Sequence, residues 1–557
     1  MSQVVNKAKN QIRENLLSAA RAAFDAADLP DFSLSTPANR EHGDFAANAA
    51  LVWAKALKSS PRAIAEALLA NTDFDGSYIE KCEIAGPGFI NFFLADKFYA
   101  DIIKDVLARE DDYGKSDFGG GKRVLVEFVS ANPTGPMHIG NARGGALGDC
   151  LAAVLSSAGY YVEREFYIND AGNQINKFAL SLDLRYLQLY KDGIEMPEDS
   201  YHGEDIIAHA KAFAKEYGDS FVEKPEEERR RALVDFALPK NIEGLKSDLK
   251  KYRIEYNTWF RESSLHESGA TDDVIEKLKK SGHTYTLEDA LWFRATDFGC
   301  DKDFVLIRAN GVPTYIVPDI AYHYNKLCIR NFDRAIDILG ADHHGYVPRL
   351  KAALKALGVD ADRLDVVIMQ MVRLVRDGEV IKASKRSGKA ITLVTLLEEV
   401  PIDAARFFFN LREPDSHFDF DLGLAVSESN NNPVFYVQYA HARICSILRN
   451  AESEGLSATA LKAENLLRLS DPAERELILH ISALTDEIIA SAKAYDPARM
   501  THYVTELATR FHKFYAACRV ITDDSALTLA RLALCKATAT AIKNVLSMLK
   551  IDAPEKM

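Results

Sequence analysis

Arg123-Val124-Leu125-Val126-Glu127-Phe128-Val129 runs into Ser130-Ala131-Asn132-Pro133-Thr134-Gly135-Pro136-Met137-His138-Ile139-Gly140-Asn141, and small apolar residues continue to about Ala158. The first run is β-branched and apolar, the composition of a buried strand. A Pro/Gly-rich loop follows, then a helix from about Ile139, then a second strand at Tyr160–Ile168. This βαβ opening predicts a parallel sheet. A strand-to-helix junction points backbone N–H groups and the positive helix end at an anion. His138 and Asn141 are three apart and face one ligand across the first helical turn. Gly140 has no side chain, so a flat base can stack on its backbone. A proline-rich loop with a capping histidine is the competing reading. The coincidence of strand, loop, histidine, glycine and helix favours a ligand site.

A second motif lies about 240 residues on, at Glu379-Val380-Ile381-Lys382-Ala383-Ser384-Lys385-Arg386-Ser387-Gly388-Lys389. Two lysines and a serine in a short loop suit a phosphate that gains charge in a transition state. Alone the motif is weak, because basic Ser/Gly loops are common. Its value comes from the first motif.

The remainder of the chain bounds the answer. At about 100–200 residues per domain, 557 residues suggest three or four domains. Apolar residues make up 47% and charged residues 27%, ample for several cores and a solvated surface. No stretch approaches the ~20 continuous apolar residues of a membrane helix, and the amphipathic start lacks a signal peptide's apolar centre. The expectation is therefore no membrane association. Seven cysteines are scattered without a Cys-x-x-Cys pair, so neither structural zinc nor a disulfide framework is expected, and the compartment reads as reducing and cytoplasmic. The net charge of −13 argues against a general nucleic-acid coat. Residues 430–557 carry 15 Lys/Arg and 14 Asp/Glu, so that end holds +1 and the rest −14.

Three parts emerge. Residues 1–112 read as a small α+β domain, with a turn at Asn39–Asp44, helices from Phe45 and Pro61, and a turn and buried strand across Ile84–Leu94. Lys115–Lys122 reads as a linker. Residues 113–429 read as a Rossmann-type α/β domain carrying a charged helical insertion at about 195–300. Within it Glu226–Arg231 reads as a solvated helix face, and strands are expected at Phe304–Ile307, Thr314–Ile316, Arg334–Leu339 and Val366–Met371. The pattern is helical from about 400, and residues 430–557 form an all-α domain with helices at Gln438–Ala451, Ala473–Ala494, Pro497–Val520 and Ala526–Leu549.

His138-Ile139-Gly140-Asn141 and Lys382-Ala383-Ser384-Lys385 together resemble the His-x-Gly-His and Lys-Met-Ser-Lys signatures of class I aminoacyl-tRNA synthetases. Asn141 stands for the second histidine and still donates through its amide. Ala383 stands for methionine and leaves both lysines. Longer stretches are similar to the arginyl-tRNA synthetase family: Tyr167–Ile175, Asp301-Lys302-Asp303, Asp319–His323, Leu339–Tyr346, and Asn432–Arg443 at the start of the helical end. Residues 40–94 resemble that family's N-terminal domain, which contacts the tRNA elbow.

The resemblance implies ATP-dependent joining of L-arginine to the 3′ end of tRNA(Arg), through an adenylate and with release of pyrophosphate and AMP. His138, Asn141, Lys382 and Lys385 would meet the phosphates. Pro136, Gly140, Gly340, Asp342 and Ser384 would complete the ATP site. Mg²⁺ would arrive with ATP, held largely by phosphates and water. A guanidinium is planar, permanently charged and best held by carboxylates in a fork. The family's matching positions assign Asp319 and Tyr315 to the guanidinium, with Asn132 and Glu127 near the α-amino group. His343 and Gln174 join them, each with an ordinary hydrogen-bonded turn residue as the alternative. Tyr436, Tyr439, His441 and Arg443 are the anticodon candidates, since unpaired bases stack on aromatics; the alternative places some of them in the core. A monomer is the default expectation. The family generally activates arginine only with tRNA bound. A small-molecule nucleotidyltransferase, an inactive tRNA-binding relative and a synthetase for another amino acid are the competing readings. The helical end, the retained His138, Lys385 and Asp319, and the acidic pocket argue against each in turn.

Overall fold

The structure is a computed structural model that describes residues 3–26, 28–37, 39–341, 345–381, 391–456 and 462–557. The N-terminal part packs helices Gln3–Phe24, Ala49–Leu57, Pro61–Ala70 and Asp96–Arg109 on an antiparallel sheet. Its strands are β1 (Leu34–Ser35), β2 (Phe45–Ala47), β3 (Ile79–Ala85) and β4 (Phe89–Leu94), in the order β1-β2-β4-β3. Phe45–Ala47 is therefore a strand, where helical spacing predicts a helix. Gly43 adopts a φ of 85°, and the Asp44 N–H meets the Phe92 carbonyl at 2.8 Å. That turn delivers Phe45 opposite Phe92 on an open strand edge, and ladder pairing outweighs local propensity. Pro61 does open a helix, capped by the Ser60 hydroxyl, which accepts from the Ala63 N–H at 3.3 Å.

Lys115–Lys122 is not a free linker. The Ser116, Gly119 and Gly121 N–H groups donate to the Ser157, Ala158 and Gly159 carbonyls at 2.8–2.9 Å, closing the end of helix Ile139–Ser157. Strands β5 (Arg123–Glu127) and β6 (Tyr161–Ile168) flank that helix. Beyond helix Gly172–Leu187, the charged helices Glu204–Tyr217 and Glu226–Lys251 form their own small core around Phe178, Tyr186, Phe213 and Leu233. The Glu226–Arg231 run is not wholly solvated. Arg229 is buried and bonds the buried Asp183, which Arg230 also reaches at 3.1 Å.

The chain then returns as β7 (Thr258–Arg261), parallel to β6. The expected insertion is thus interrupted: Trp259 stacks on Phe166 with ring centroids 4.5 Å apart, so β7 belongs to the central sheet. An antiparallel sheet of β8 (Thr284–Leu287), β9 (Ala290–Phe293) and β10 (Phe304–Ile307) follows. Thr314–Ile316 is not a strand. Thr314 bonds back to β10, and helix Ile316–Tyr324 starts at once. Pro318 sits in its first turn, where its missing N–H costs nothing. Next come β11 (Arg334–Gly340), β12 (Leu364–Met369), β13 (Val372–Arg376), β14 (Glu379–Ile381) and β15 (Phe418–Asp421). The last of these interrupts the helical pattern expected after 400 by pairing with β13.

The central sheet is all parallel, in the order β12-β11-β5-β6-β7. Its order reverses between β5 and β11, and the crevice at their carboxyl ends is where such sheets bind ligands. The helical end holds Pro433–Ser453, Pro472–Ser482, Leu484–Ala494, Ala498–Ala517 and Ser525–Met548, so the single helix expected over Ala473–Ala494 breaks at Ala483. One described helix, Ser525–Met548, is long and apolar enough to cross a membrane by length and composition, but it runs through this bundle with Leu532, Ile542 and Leu546 buried. The parts are tied together by buried polar contacts. Arg406 donates to the Leu549 carbonyl at 2.7 Å, the Tyr252 carbonyl at 2.9 Å and the Asp149 carboxylate at 2.6 Å. Tyr113 donates to the Ile481 carbonyl at 3.0 Å.

Close packing of helix Ile139–Ser157 on the end of β5 rests on Gly148, where a Cβ would lie 2.2 Å from the Phe128 ring. Gly148→Ala is expected to destabilise the fold by about 1–3 kcal/mol despite alanine's better helix propensity. Urea unfolding measures this, and unchanged or increased stability would mean that the ring moves aside freely.

Candidate active site

The loop after β5 is held in an unusual shape. Val129 and Ser130 have φ of 70° and 40°, in the region β-branched and ordinary side chains avoid. Two contacts hold it there. The Ser130 hydroxyl donates to Glu127 Oε1 at 2.8 Å and accepts from the Tyr167 N–H at 3.1 Å. Farther on, Asn241 of the insertion donates to the Pro133 carbonyl at 2.9 Å. The loop delivers His138 to the N-cap of helix Ile139–Ser157, exposed, with Pro136 exposed beside it. The His138 N–H donates to Asn141 Oδ1 at 3.0 Å, which commits the amide oxygen and leaves its NH₂ as the donating end. A Cβ at Gly140 would meet no described atom within 4 Å, so its surface is open. Gly340 ends β11, the neighbouring strand, on the same side of the sheet.

The second motif connects to the first. His138 pairs with Thr392, and the Leu393 N–H donates to the Met137 carbonyl at 2.9 Å. Buried Arg143, one turn into the same helix, donates to the carbonyls of Gln370, Glu413 and Ser416 at 2.7, 3.1 and 3.2 Å. Burial lowers its pKa to about 10. Lys382, Ser384 and Lys385, together with Asp342 and His343, lie outside the described residues.

Behind this loop runs a chain of buried charges. Lys326 has no exposed side-chain surface and bridges Glu127 on β5 to Asp337 on β11, the latter at 2.8 Å. Asp337 also meets His323 Nε2 at 2.6 Å, while His323 Nδ1 lies 2.7 Å from the Asp319 carbonyl. Both ring nitrogens face oxygen acceptors, which requires the doubly protonated imidazolium. Burial and Lys326 oppose that charge, yet Asp337 raises the His323 pKa above its ordinary value. Burial equally opposes the Asp337 charge, and Lys326 and His323 hold that carboxyl well below the usual range.

Asp319 lies in the first turn of helix Ile316–Tyr324 rather than after a strand. Burial pushes its carboxyl up to about 6, against the Tyr346 hydroxyl and His323, which lower it; the nearby Glu127 and Glu262 charges add to the rise. Tyr315 is 69% exposed and stacks on Tyr346 with centroids 5.7 Å apart. Glu262 follows β7, its N–H donating to the Ile168 carbonyl at 3.0 Å. Asp170 pins that junction by accepting from the Ser263 N–H at 2.8 Å and hydroxyl at 2.9 Å. Glu127, Asp319 and Glu262 thus all act on Tyr167, and among the described residues only Glu127 of the three has a lysine partner. Sequence reading missed Glu262, because a four-residue strand after a long charged helix carries little periodic signal. Asn132 is exposed on the loop, and Gln174 is exposed in the first turn of helix Gly172–Leu187, bonded by the Tyr201 hydroxyl.

On the helical end, Tyr439 stacks on His512 at 6.1 Å and lies parallel to Phe435 at 6.3 Å; Tyr436 meets His512 at 5.0 Å. Arg443 lies over Tyr515 at 4.3 Å and Tyr439 at 5.7 Å. This is a partly exposed aromatic platform with one cation, and His512 and Tyr515 join it from the facing helix. His441 is not part of it. Its ring is buried against the C-terminal segment, with Nδ1 2.9 Å from the Pro554 carbonyl, and burial lowers its pKa. The helical spacing that puts Tyr436 and Tyr439 outward turns His441 inward.

Three family models match the chain: the arginyl tRNA synthetase N terminal domain over residues 6–94, the catalytic domain of class I tRNA synthetases (R) over 102–417, and the DALR anticodon binding domain over 437–557. The chain is 50% identical to the arginine–tRNA ligase of Acetivibrio thermocellus over 564 residues and 51% identical to that of Caldanaerobacter subterraneus over 562, each comparison covering 100% of both chains. Among solved structures, the Thermus thermophilus arginyl-tRNA synthetase superposes with a TM-score of 0.75 at 22% identity, covering 98% of this chain and 100% of that one, a likeness of fold.

Lys326→Met would leave buried Glu127 without its lysine and Asp337 with His323 as its remaining cation. A loss of about 3–5 kcal/mol is expected in urea unfolding at neutral pH. A loss below about 1 kcal/mol would mean that the buried chain does not hold the site.

Proposed function

Since the chain belongs to the class I arginyl-tRNA synthetase family, we propose that it activates L-arginine with ATP and transfers the arginyl group to the 3′ end of tRNA(Arg). The observation that carries this reading is the part-buried Asp319, whose carboxylate interacts with Glu262 and Tyr167 near the carboxyl ends of the central strands. Burying that acid is unfavourable alone and becomes favourable with a permanent, planar cation. An apolar amino acid offers nothing to offset it.

The arginine carboxylate attacks the α-phosphate of ATP, and pyrophosphate leaves. A tRNA ribose hydroxyl then attacks the adenylate carbonyl, and AMP leaves. Positioning and electrostatics carry the first step. His138 and the Asn141 amide meet the phosphates from the helix N-terminus, with Lys382 and Lys385 from the second motif. Gly140 and Gly340 border the adenosine, with Pro136, Asp342 and Ser384 completing that site. Asp319 takes the guanidinium with Glu262 beside it and Tyr315 over the mouth. Glu127 and Asn132 are assigned to the α-amino group, with His343 and Gln174 as further arginine contacts. Mg²⁺ would accompany the ATP phosphates, neutralising their charge. Tyr436, Tyr439 and Arg443 form a stacking platform for unpaired anticodon bases. The enzyme acts as a cytoplasmic monomer.

Charging total tRNA with each of the twenty amino acids in turn tests the assignment. Only arginine is expected to yield aminoacyl-tRNA, and charging with a different amino acid would overturn it.

Asp319 also sets a pH dependence. Its carboxyl is pushed up to about 6, above the ordinary aspartate range, so ionisation of the free pocket costs stability that is fully present at low pH and lost as pH rises through 6. Bound guanidinium favours the ionised form. The arginine KM is therefore expected to be level above neutrality and to rise about tenfold by pH 5, where roughly a tenth of the carboxyl is ionised. Asp319→Asn should raise KM throughout and flatten the profile. An unchanged profile in that variant would move the titrating acid elsewhere.

A further inference from the structure

We propose that the Tyr167 hydroxyl is a specificity-determining contact for the substrate guanidinium, accepting one of its N–H groups while donating its own proton to Glu262. This rests on the arginine reading above.

The ring is fixed. Tyr167 lies in β6 one residue before its carboxyl end, parallel to Phe260 at 6.2 Å and tilted against Tyr322 at 4.5 Å. Phe260 and Tyr322 also touch, at 4.7 Å, so three rings lock one another. The Tyr167 backbone is tied to Ser130, which in turn bonds Glu127. The side chain therefore has no freedom to swing its hydroxyl toward water, and Tyr167 is only 9% exposed.

That hydroxyl lies beside the Glu262 carboxylate, yet its lone pairs meet no donor and it makes no hydrogen bond of ordinary geometry among the described residues. Buried phenols ordinarily find one, and leaving one unmade is unfavourable. Its surroundings are equally unusual. The charges of Glu262, Asp319 and Glu127 all act on it, and with burial they hold it as the neutral phenol. A neutral phenol has one proton to give and two lone pairs to offer. Among three carboxylates it donates once, leaving its lone pairs for an incoming donor. A guanidinium carries five N–H donors in a plane and no acceptor. It supplies what this hydroxyl lacks and neutralises the acids that surround it. Lysine offers three donors on a compact head at the end of a different stem, and citrulline offers an oxygen where arginine has an N–H.

Tyr167→Phe in the full chain removes one oxygen and keeps the ring stack. Two readouts then move in opposite directions. Thermal stability without substrate should be little changed or higher, because the lost oxygen makes no hydrogen bond of ordinary geometry in the free protein. The arginine KM, measured at saturating ATP and tRNA, should rise about tenfold with kcat within about twofold, the pattern of a contact held equally in ground and transition states. Inhibition by citrulline, which presents an acceptor, should change less than arginine binding. An unchanged arginine KM would overturn the proposal. So would a variant with clearly lower stability, since that outcome means the hydroxyl is already fully bonded in the free protein. Wild-type enzyme charging arginine beside an unaffected variant would sink this inference alone; wild-type enzyme unable to charge arginine would sink the functional reading on which it rests.

Discussion

Lys326 has no exposed side-chain surface, and its ammonium lies between Glu127 and Asp337. Removing such a charge from water is costly unless the geometry is good and the partners are complete. Here they are: two acids from adjacent parallel strands meet one lysine, and His323 completes the second acid. The consequence is spatial. Glu127 heads the strained loop that carries His138, while His323 fixes the backbone of Asp319. The loop that carries His138 and the helix that carries Asp319 are therefore joined by one rigid ionic chain, which on the proposed reading links the phosphate and guanidinium sides of the pocket. A pocket for a long amino acid needs its two ends at a set separation, and apolar packing alone, being non-directional, fixes separations less tightly.

The insertion is part of this arrangement. Its helices hold the Pro133 carbonyl, and its closing strand adds Glu262 to the pocket edge. Arg143 anchors the helix under His138 and Asn141 to carbonyls on both sides of the second motif. Its partners are all backbone oxygens, so the guanidinium positions chain segments without neutralising any acid in the site.

Much of this was legible in the residues. The strand, loop and helix from Arg123 to Ser157 follow from composition and spacing, because buried parallel strands read as apolar runs and small residues allow close helix packing. Phe45–Ala47 and Thr258–Arg261 were not legible, since three- and four-residue strands are defined by the edge they join rather than by any pattern of their own. Thr314–Ile316 misled through its β-branched residues, which tertiary bonds to β10 turned into a helix entry. In the site, the position of Asp319 was readable from resemblance, but its raised carboxyl and the convergence of Glu262 on it were not. That convergence depends on the register of β7 against β6. His441 sat among outward aromatics in sequence, and one step of helical phase placed it inside.

Arg406 draws together a carboxylate from the helix of the first motif, a carbonyl from the end of the insertion and a carbonyl from the end of the last helix. A fully buried guanidinium with donors distributed in this way is satisfied only when all three regions are folded and docked. In the language of engineering, the chain is modular on paper and monolithic in practice. Three family models divide it cleanly, but a cut between catalytic and helical parts leaves a buried cation short of an acceptor and an apolar face bare. Grafting one part onto a relative would have to carry across this junction as well as the surface that reads RNA. Recombination among such chains should then favour crossovers within the exposed loops of a part over crossovers at its apparent boundary.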